Sequence, residues 1–553
     1  MPAKNAANNS RVGWAAALAL AAVACGSSSS STDTGDGGSS GTSSSGTSFG
    51  SASGNGAGAM AGSGGGSGSG AAAGSASGAG STSGTGSTSG AAGGDAGGMP
   101  IKTCGDAGAP LGGASGSGST SDTGASCAVS ASSVHVSQVD VGMAYQYQEV
   151  DTPLSLLAIS PIPGGGSRLA FMGMDNKAHV VLLDGSDNLV AGQSFALTAH
   201  DLQDVYADAT GGVALVTRDA MGGGTNNCGS PMNLCSLSMP TNYSCWDMYL
   251  VRFDACGNES WATKLTTSSA SLPPYSTGMA GPMSLMIWWY AHNGRIGFDG
   301  TNFAAYYGVA ITVKNLNGMN CMDIHQGDEM RLVNASTGKL GAGGFDVGCS
   351  HSSFERLAYD GTKFVPVCNN DAPTGGKSGR IAFAPQTTTI YPVDEMNTEL
   401  GSVLPAGGGG YWIVATDLRA GQTAAMPGLD DVHLLHVTTG APDKNTMLAS
   451  DSGLNDRNPH LAAFGKNRML AAWETSTTAA PMGGHLSQTD TSRKLYVQAL
   501  DATTGAAQGS PFNIAGVMGS RYQDFRTYAD GSVAYAAPGG GTKVQIVRVT
   551  PCK

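Results

Sequence analysis

Phe298-Asp-Gly-Thr-Asn-Phe-Ala-Ala-Tyr-Tyr-Gly-Val-Ala310 and Tyr359-Asp-Gly-Thr-Lys-Phe-Val-Pro-Val-Cys368 read as one unit written twice. His292, Arg295, Phe298-Asp299-Gly300 and Phe303 recur in the same order as His351, Arg356, Tyr359-Asp360-Gly361 and Phe364. Each copy runs apolar strand, Asp-Gly turn, second apolar strand. Asp-Gly between two apolar runs is a strong local hairpin pattern, because the tight turn needs positive φ and glycine supplies it. A unit that recurs once is worth seeking along the whole chain.

From Asp151 onward, unbroken apolar runs follow one another at Leu169-Ala-Phe-Met-Gly-Met, Val213-Ala-Leu-Val, Phe303-Ala-Ala-Tyr-Tyr, Phe364-Val-Pro-Val, Tyr411-Trp-Ile-Val, Met469-Leu-Ala-Ala-Trp and Val533-Ala-Tyr-Ala. Continuous apolar runs of this length fit strands covered on both faces. After most of them comes an alternating hairpin ending in a Gly-bearing turn, as in Asp247-Met-Tyr-Leu-Val-Arg-Phe-Asp or Leu495-Tyr-Val-Gln-Ala-Leu-Asp. Alternation of this kind predicts half-exposed outer strands. Two hairpins per unit, seven times, predict an all-β chain folded as a seven-bladed β-propeller, with six or eight blades as the alternatives. The last unit is one strand short. Ser133-Val-His-Val-Ser-Gln-Val-Asp-Val, ahead of the first full unit, can fill that place and remove an open edge. The long interval between Val213 and Phe303 holds a single alternating hairpin and reads as one blade with two insertions.

The 85 glycines and 12% charged residues of this 553-residue chain are far from ordinary globular composition. The excess lies between Gly26 and about Ser126, where Gly, Ser, Ala and Thr dominate. Such a stretch cannot bury enough surface to offset its chain entropy, and it predicts a disordered tether. The organisation expected is a signal peptide over 1–24, a linker over 25–128 and the propeller over 129–553. A net charge of −12 argues against a nucleic-acid partner. Lys4 and Arg11, then the uncharged run Val12–Ala24, have the form of an export signal too short to span a bilayer. Removing Cys25 from the eleven cysteines leaves ten: Cys104, Cys127, Cys228, Cys235, Cys245, Cys256, Cys321, Cys349, Cys368 and Cys552. An even set in an exported chain favours disulfides over a zinc site, and no CxxC pair occurs. Pairing is not deducible, although Cys127 with Cys552 would staple the ends of the domain.

Ala22-Val-Ala-Cys25 resembles the lipobox of bacterial lipoproteins, in which the cysteine is acylated, with alanine where leucine is usual at the first position. Ordinary cleavage near Ala24 is the alternative. Gly26 after the cysteine resembles lipoproteins that pass to the outer membrane. The repeat pair, with His325-Gln-Gly-Asp328 and Gly348-Cys-Ser-His-Ser352, is similar to repeats of uncharacterised exported bacterial propeller proteins. That resemblance implies a fold and an extracytoplasmic setting, and no reaction. The geometry it implies puts the loop entering each blade and the loop between its two hairpins on one face. The insertions fall there: Ala220–Trp246, Thr266–Trp289, Thr312–Gly327, Asn369–Gly379, Arg419–Leu429 and Thr475–Thr491. Loops on a rigid scaffold are where ligand sites concentrate.

Aromatic residues cluster on that face, and Trp246, Tyr275, Trp288, Trp289 and Tyr290 are candidate ligand contacts, joined by the repeated Arg295 and Arg356. A disulfide-rich insertion packing its own small core is the competing reading. His200, His292, His351 and His460 stand at or just before innermost strands and would face the channel. His292, His351 and the loop residue His325 form a candidate site for zinc or another transition metal at the channel mouth, with Asp299, Asp328 and Asp360 as nearby carboxylates. The competing reading makes the histidines hydrogen-bonding links between blades and Asp-Gly plain turn chemistry. Enzyme signatures are weak, since G-x-S-x-G occurs only in the low-complexity segment. The function expected is a monomeric, lipid-anchored binding or scaffolding module for a protein or glycan. The alternative is a hydrolase or lyase acting on extracellular polysaccharide from the funnel.

Overall fold

The computed structural model describes residues 104, 128–149, 156–219, 226–229, 243–266, 284–286, 294–314, 322–346, 348–349, 353–385, 388–394, 397–422, 429–450, 453–478 and 486–551. Among them no α-helix occurs, and Ala131–Ser133 is a single 3-10 turn. The strands fall into seven antiparallel sheets, six built from successive stretches of chain and one from both ends. The chain folds as a seven-bladed β-propeller.

The innermost strands, in order, are Leu157–Pro161, Asp201–Asp208, Arg295–Phe298, Ser353–Tyr359, Leu400–Pro405, Asn455–Phe464 and Arg526–Thr527. The interval after Val213 contains the outer part of blade 2 and the start of blade 3, with no further sheet among the described residues. Blade 7 is completed by the N-terminal strand: Val134–Asp140 pairs antiparallel with Lys543–Val549, from Val134 opposite Val549 to Asp140 opposite Lys543. The ring is therefore closed by hydrogen bonds between the two ends of the domain, which leaves no open blade there.

The repeated hairpins superpose in register. Phe298 pairs with Phe303 across one Asp-Gly turn and Tyr359 with Phe364 across the other. Gly300 and Gly361 have φ of 95° and 93°, a conformation that favours glycine. Asp299 Oδ1 accepts the amides of Thr301 and Asn302, and Asp360 Oδ1 those of Thr362 and Lys363, so both carboxylates fix their turns, while Asp360 Oδ2 also accepts the hydroxyl of Tyr411 from blade 5 at 2.7 Å.

Packing between blades supplies the core. Separate apolar clusters fill each junction around the ring, from Leu169 and Phe171 against Ala536 and Ile546 at blades 1 and 7 to Leu470 and Val497 against Tyr535 and Val547 at blades 6 and 7. The junction of blades 3 and 4 is built from smaller groups, Ala304, Ala382, Cys349 and Cys368, around Tyr306. The second strands are buried throughout, Ser167–Met172 being one case. The third strands are buried more fully than their alternation suggests, because the neighbouring blade covers the face that a lone sheet would leave wet; Asp430–Val437 is an example. Fourth strands such as Lys444–Ala449 keep the exposed pattern.

Candidate functional site

Four innermost strands carry an irregularity near the same level, between Leu202 and Asp204, Ser353 and Arg356, Leu400 and Val403, and Arg457 and His460. A bulge re-aims side chains. Here it accompanies buried polar groups around the axis: Asp204, Glu355, Arg356, Ser402, Arg457 and His460. Into the ring they form runs Gly519-Ser-Arg-Tyr-Gln-Asp-Phe-Arg526, the segment that leads into the innermost strand of blade 7.

This segment is bonded to most of the other blades. Arg295 Nε donates to Asp524 Oδ2 at 2.6 Å, and its Nη2 donates to the carbonyl of Tyr522. Arg356 donates to the carbonyls of Leu400, Gly401 and Arg521. Arg521 Nε reaches Glu399 Oε1 at 2.9 Å, and its amide donates to Glu149. Arg526 donates to Asp204 Oδ1 at 2.6 Å. Glu474 accepts the amide of Gly519 and the guanidinium of Arg493, which also bridges to Glu149. Tyr522 stacks on Phe354, and Phe525 lies between His460 and Tyr535 at centroid separations of 4.7 and 4.3 Å.

The electrostatics follow from burial set against opposite charge. Burial opposes ionisation of Asp524, but Arg295, Arg356 and Arg526 outweigh it and hold the carboxyl at about 2. Arg457 and Arg521 likewise hold Glu399 below its ordinary range despite burial. Burial, helped by the charge on Arg356, lowers His460 to about 4, so its imidazole is neutral at pH 7. Its Nε2 lies 2.5 Å from the carbonyl of Ser520, which assigns that nitrogen the proton. At this level the axis is a cross-linked polar core.

The connections divide by length between the two faces. Strand antiparallelism puts the turns after the first and third strands on one face, and the connections after the second and fourth strands on the other. The first set is tight, as at Ile162–Gly166, Asp184–Asn188, Asp254–Asn258 and Tyr528–Ser532. The second set carries the long intervals of sequence. There the middle hairpin of blade 3, Asn302–Lys314 with Met322–Asn334, runs on past its innermost partner, and Ser284–Met286 adds a strand along Ala310–Thr312. In blade 2, Asn226–Gly229 similarly extends the sheet along Tyr243–Asp254. A cleft of ≈ 490 Å³ opens on this face between residues 488–494 and 513–518. Hydroxyls of Thr489 and Thr491 and the exposed Lys494 rim it, and Ile514, Val517 and Met518 supply apolar wall.

The candidate residues distribute unevenly over this frame. Trp246 is half-buried on blade 2 with its ring 5.5 Å from that of His200. Arg295 and Arg356 are 2% and 1% exposed, and their guanidinium groups are committed to the axial network, so the described structure gives them a part in joining blades. His325 stands opposite Ile311 in the extended hairpin. Tyr275, Trp288, Trp289, Tyr290, His292 and His351 lie outside the described residues, as does Cys25. Asp328 is buried and accepts the amides of Gly348 and Cys349 and the hydroxyl of Tyr306. Burial raises its carboxyl to about 6. Asp328 lies close to Cys349 and Cys368, but those sulfurs are joined in a disulfide and are not free to hold a metal. A second disulfide joins Cys104 to Cys256. Cys228 and Cys245 lie on paired strands, while Cys127, Cys235, Cys321 and Cys552 lie outside the described residues, and with them the Cys127–Cys552 pairing.

Residues the sequence did not single out carry the axis: Arg521, Asp524, Glu399, Glu474, Arg493 and Glu149. One local cue exists, the charged and aromatic run Arg521-Tyr-Gln-Asp-Phe-Arg526 that leads into the shortest innermost strand.

No family model matches the chain, and no curated protein matches it. Among solved structures it is similar to the WD40 domain of a Toxoplasma gondii coronin, at 8% identity over 76% of this chain and 87% of that one, with a TM-score of 0.39. It is similar also to a Penicillium chrysogenum alpha-L-arabinanase complexed with arabinobiose, at 11% identity over 75% and 97%, TM-score 0.38. A soluble aldose sugar dehydrogenase from Escherichia coli aligns at 12% identity over 76% and 100%, TM-score 0.32. Likeness at this level assigns neither substrate nor reaction.

Proposed function

We propose that the chain is a lipid-anchored, extracytoplasmic binding or scaffolding module that recognises a protein or glycan through its insertion-bearing face. The observation that supports this most is the division of the connections: tight, Asp-capped turns on one face, and long intervals with extended hairpins on the other. A rigid closed ring carrying long loops on one side is suited to presenting a contact surface. Trp246, Trp288, Trp289, Tyr275 and Tyr290 supply aromatic contacts there, and the cleft beside Lys494 supplies a recess with an apolar wall and a polar rim. Export and acylation at Cys25 would place the module at the outer membrane, on a stalk formed by the Gly/Ser-rich segment. No helix among the described residues is long and apolar enough to cross a membrane.

A hydrolase or lyase working from the same face would have to assemble its groups above the axial network, because the described axis is crossed by the ion pairs of Arg295 and Arg526 and by the bond of His460 to Ser520. Replacing Trp288 and Trp289 together by Ala is expected to abolish glycan or partner retention with little change in melting temperature. A large drop in melting temperature would make them core residues instead. A glycan array run beside a polysaccharide turnover assay separates the readings, since turnover would replace binding as the function. Cys25→Ser is expected to move the protein into the soluble fraction, and unchanged fractionation would remove the anchor.

A further inference from the structure

Cys104 stands inside the Gly/Ser-rich segment, yet it is held to the propeller in two ways. Its sulfur is bonded to Cys256, 152 residues away in sequence. Its amide donates to Gln193 Oε1 at 2.7 Å, and its carbonyl accepts from Gln193 Nε2 at 3.2 Å. Gln193 belongs to Leu189–Leu197, the outermost strand of blade 1. Cys256 sits in the turn between the third and fourth strands of blade 2, a turn tied by Asp254 Oδ1 to the amides of Cys256 and Asn258. The attachment therefore straddles the rims of two blades. Those rims also pack directly, because Gly257 lies so close to Phe195 that a Cβ there would stand 2.3 Å from the ring.

The next described segment of the chain is different. Val134–Asp140 closes the ring as the outermost strand of blade 7, and only Val139 in it is buried. A strand held by one ladder on one edge, with little apolar burial, resists being drawn off from its end less well than a strand paired on both edges. Without the disulfide, a pull on the N-terminal segment would pass along the backbone to Val129, which is buried in the cluster between blades 6 and 7, and then act on that closure. With it, the covalent path leaves the backbone at Cys104 and enters the turn of blade 2, so the closing strand is bypassed.

We propose that Cys104–Cys256 is a load-bearing pin that routes traction from the N-terminal stalk into the rim of blades 1 and 2 and bypasses the strand that closes the ring. That such traction arises in the cell rests on the anchor at Cys25. Both cysteines are exposed, whereas Cys349 and Cys368 are fully buried, so a small dithiol in solution reaches the pin first. In that exchange the dithiol is oxidised to its own disulfide, and its two electrons and two protons pass to the sulfurs of Cys104 and Cys256. Reduction then transfers load to the closing strand and opens the ring under tension.

The test is single-molecule pulling of the mature chain, held at its N-terminus and by a handle in the exposed turn at Gly376 of blade 4. Wild type is compared with the Cys104→Ser, Cys256→Ser double variant. Removing the bond lengthens the covalent path to Val129, the first buried residue beyond Cys104 among those described, by up to about 90 Å of contour. The variant should then show an early low-force step, the release of Val134–Asp140, that wild type lacks. Should the variant fail to fold, dithiothreitol added to the held wild-type molecule makes the same comparison. An early step in oxidised wild type, or none after the bond is removed, overturns the pin. Because the pull is applied directly, the result stands whether or not Cys25 is acylated, and fractionation of Cys25→Ser tests that reading separately.

Discussion

Asp524→Asn removes one negative charge from the point where Arg295, Arg356 and Arg526 converge. The side chain of Asp524 is 14% exposed, with Arg295 Nε 2.6 Å away and Arg356 Nη1 at 3.9 Å. Folding lowers its carboxyl from 3.8 to about 2, a preference for the ionised form equivalent to about 2 kcal/mol of native-state stability at neutral pH. Asparagine forfeits this and leaves buried guanidinium charge short of a partner, a change that costs roughly 3–5 kcal/mol when a buried pair is broken. The expected loss at pH 7 is therefore about 2–5 kcal/mol, a large share of the stability of a typical domain. Urea denaturation followed by tryptophan fluorescence and far-ultraviolet circular dichroism measures it. The pH dependence has a definite sign. A lowered carboxyl stabilises above its unfolded value, near 4, and the contribution disappears as pH falls through the folded value, about 2. The gap between wild type and variant should therefore narrow below pH 4 and largely close at pH 2. Adding Arg356→Met to the variant should recover part of the loss by removing unpaired charge. A difference under about 0.5 kcal/mol at pH 7, the size of an ordinary surface substitution, or one that stays constant down to pH 2, would refute the reasoning.

Replacing Cys349 and Cys368 together by Ser opens a bridge spanning 19 residues of sequence, and calorimetry should record a loss of roughly 3 kcal/mol; a loss below 1 kcal/mol would mean that Asp328 and Tyr306 hold the junction of blades 3 and 4 alone. Deleting 129–141 exposes the edge of Lys543–Val549, and light scattering should then show concentration-dependent association; a stable monomer would make the closing strand dispensable. Gly300→Ala and Gly361→Ala each put a side chain on a backbone at φ near 95° with nothing within 4 Å of the new Cβ. Each should cost about 1 kcal/mol through backbone conformation alone. The two should add, since they lie in separate blades, and a cooperative loss would point to coupling along the ring.

The hairpins were legible because their causes are local. Asp-Gly dictates the turn, and the apolar runs around it dictate burial, wherever the rest of the chain goes. Blade number and the closing role of Val134–Asp140 were legible for a related reason: repetition counts the units, and an incomplete last unit needs a strand from elsewhere. The exposure of the third strands was not, since alternation reports what one sheet would leave uncovered and takes no account of the neighbouring blade laid on it.

The axis was decided by tertiary structure. Histidines drew attention because they recur at equivalent places, and His460 does face inward, but as a neutral donor to Ser520. The groups that organise the axis, Arg295, Arg356, Glu399, Arg521 and Asp524, come from segments more than a hundred residues apart in several cases, and no local rule links a carboxylate in the last blade to an arginine in the third. The same holds for Cys104. Sequence alone raised the expectation that the even set of cysteines would pair, and Cys104–Cys256 and Cys349–Cys368 do; which cysteine reached the rim of blade 2 depended on where the ring, once closed, put the turn at Cys256. Local chemistry determined the units, and only their assembly around a common axis brought distant charges and sulfurs within bonding distance.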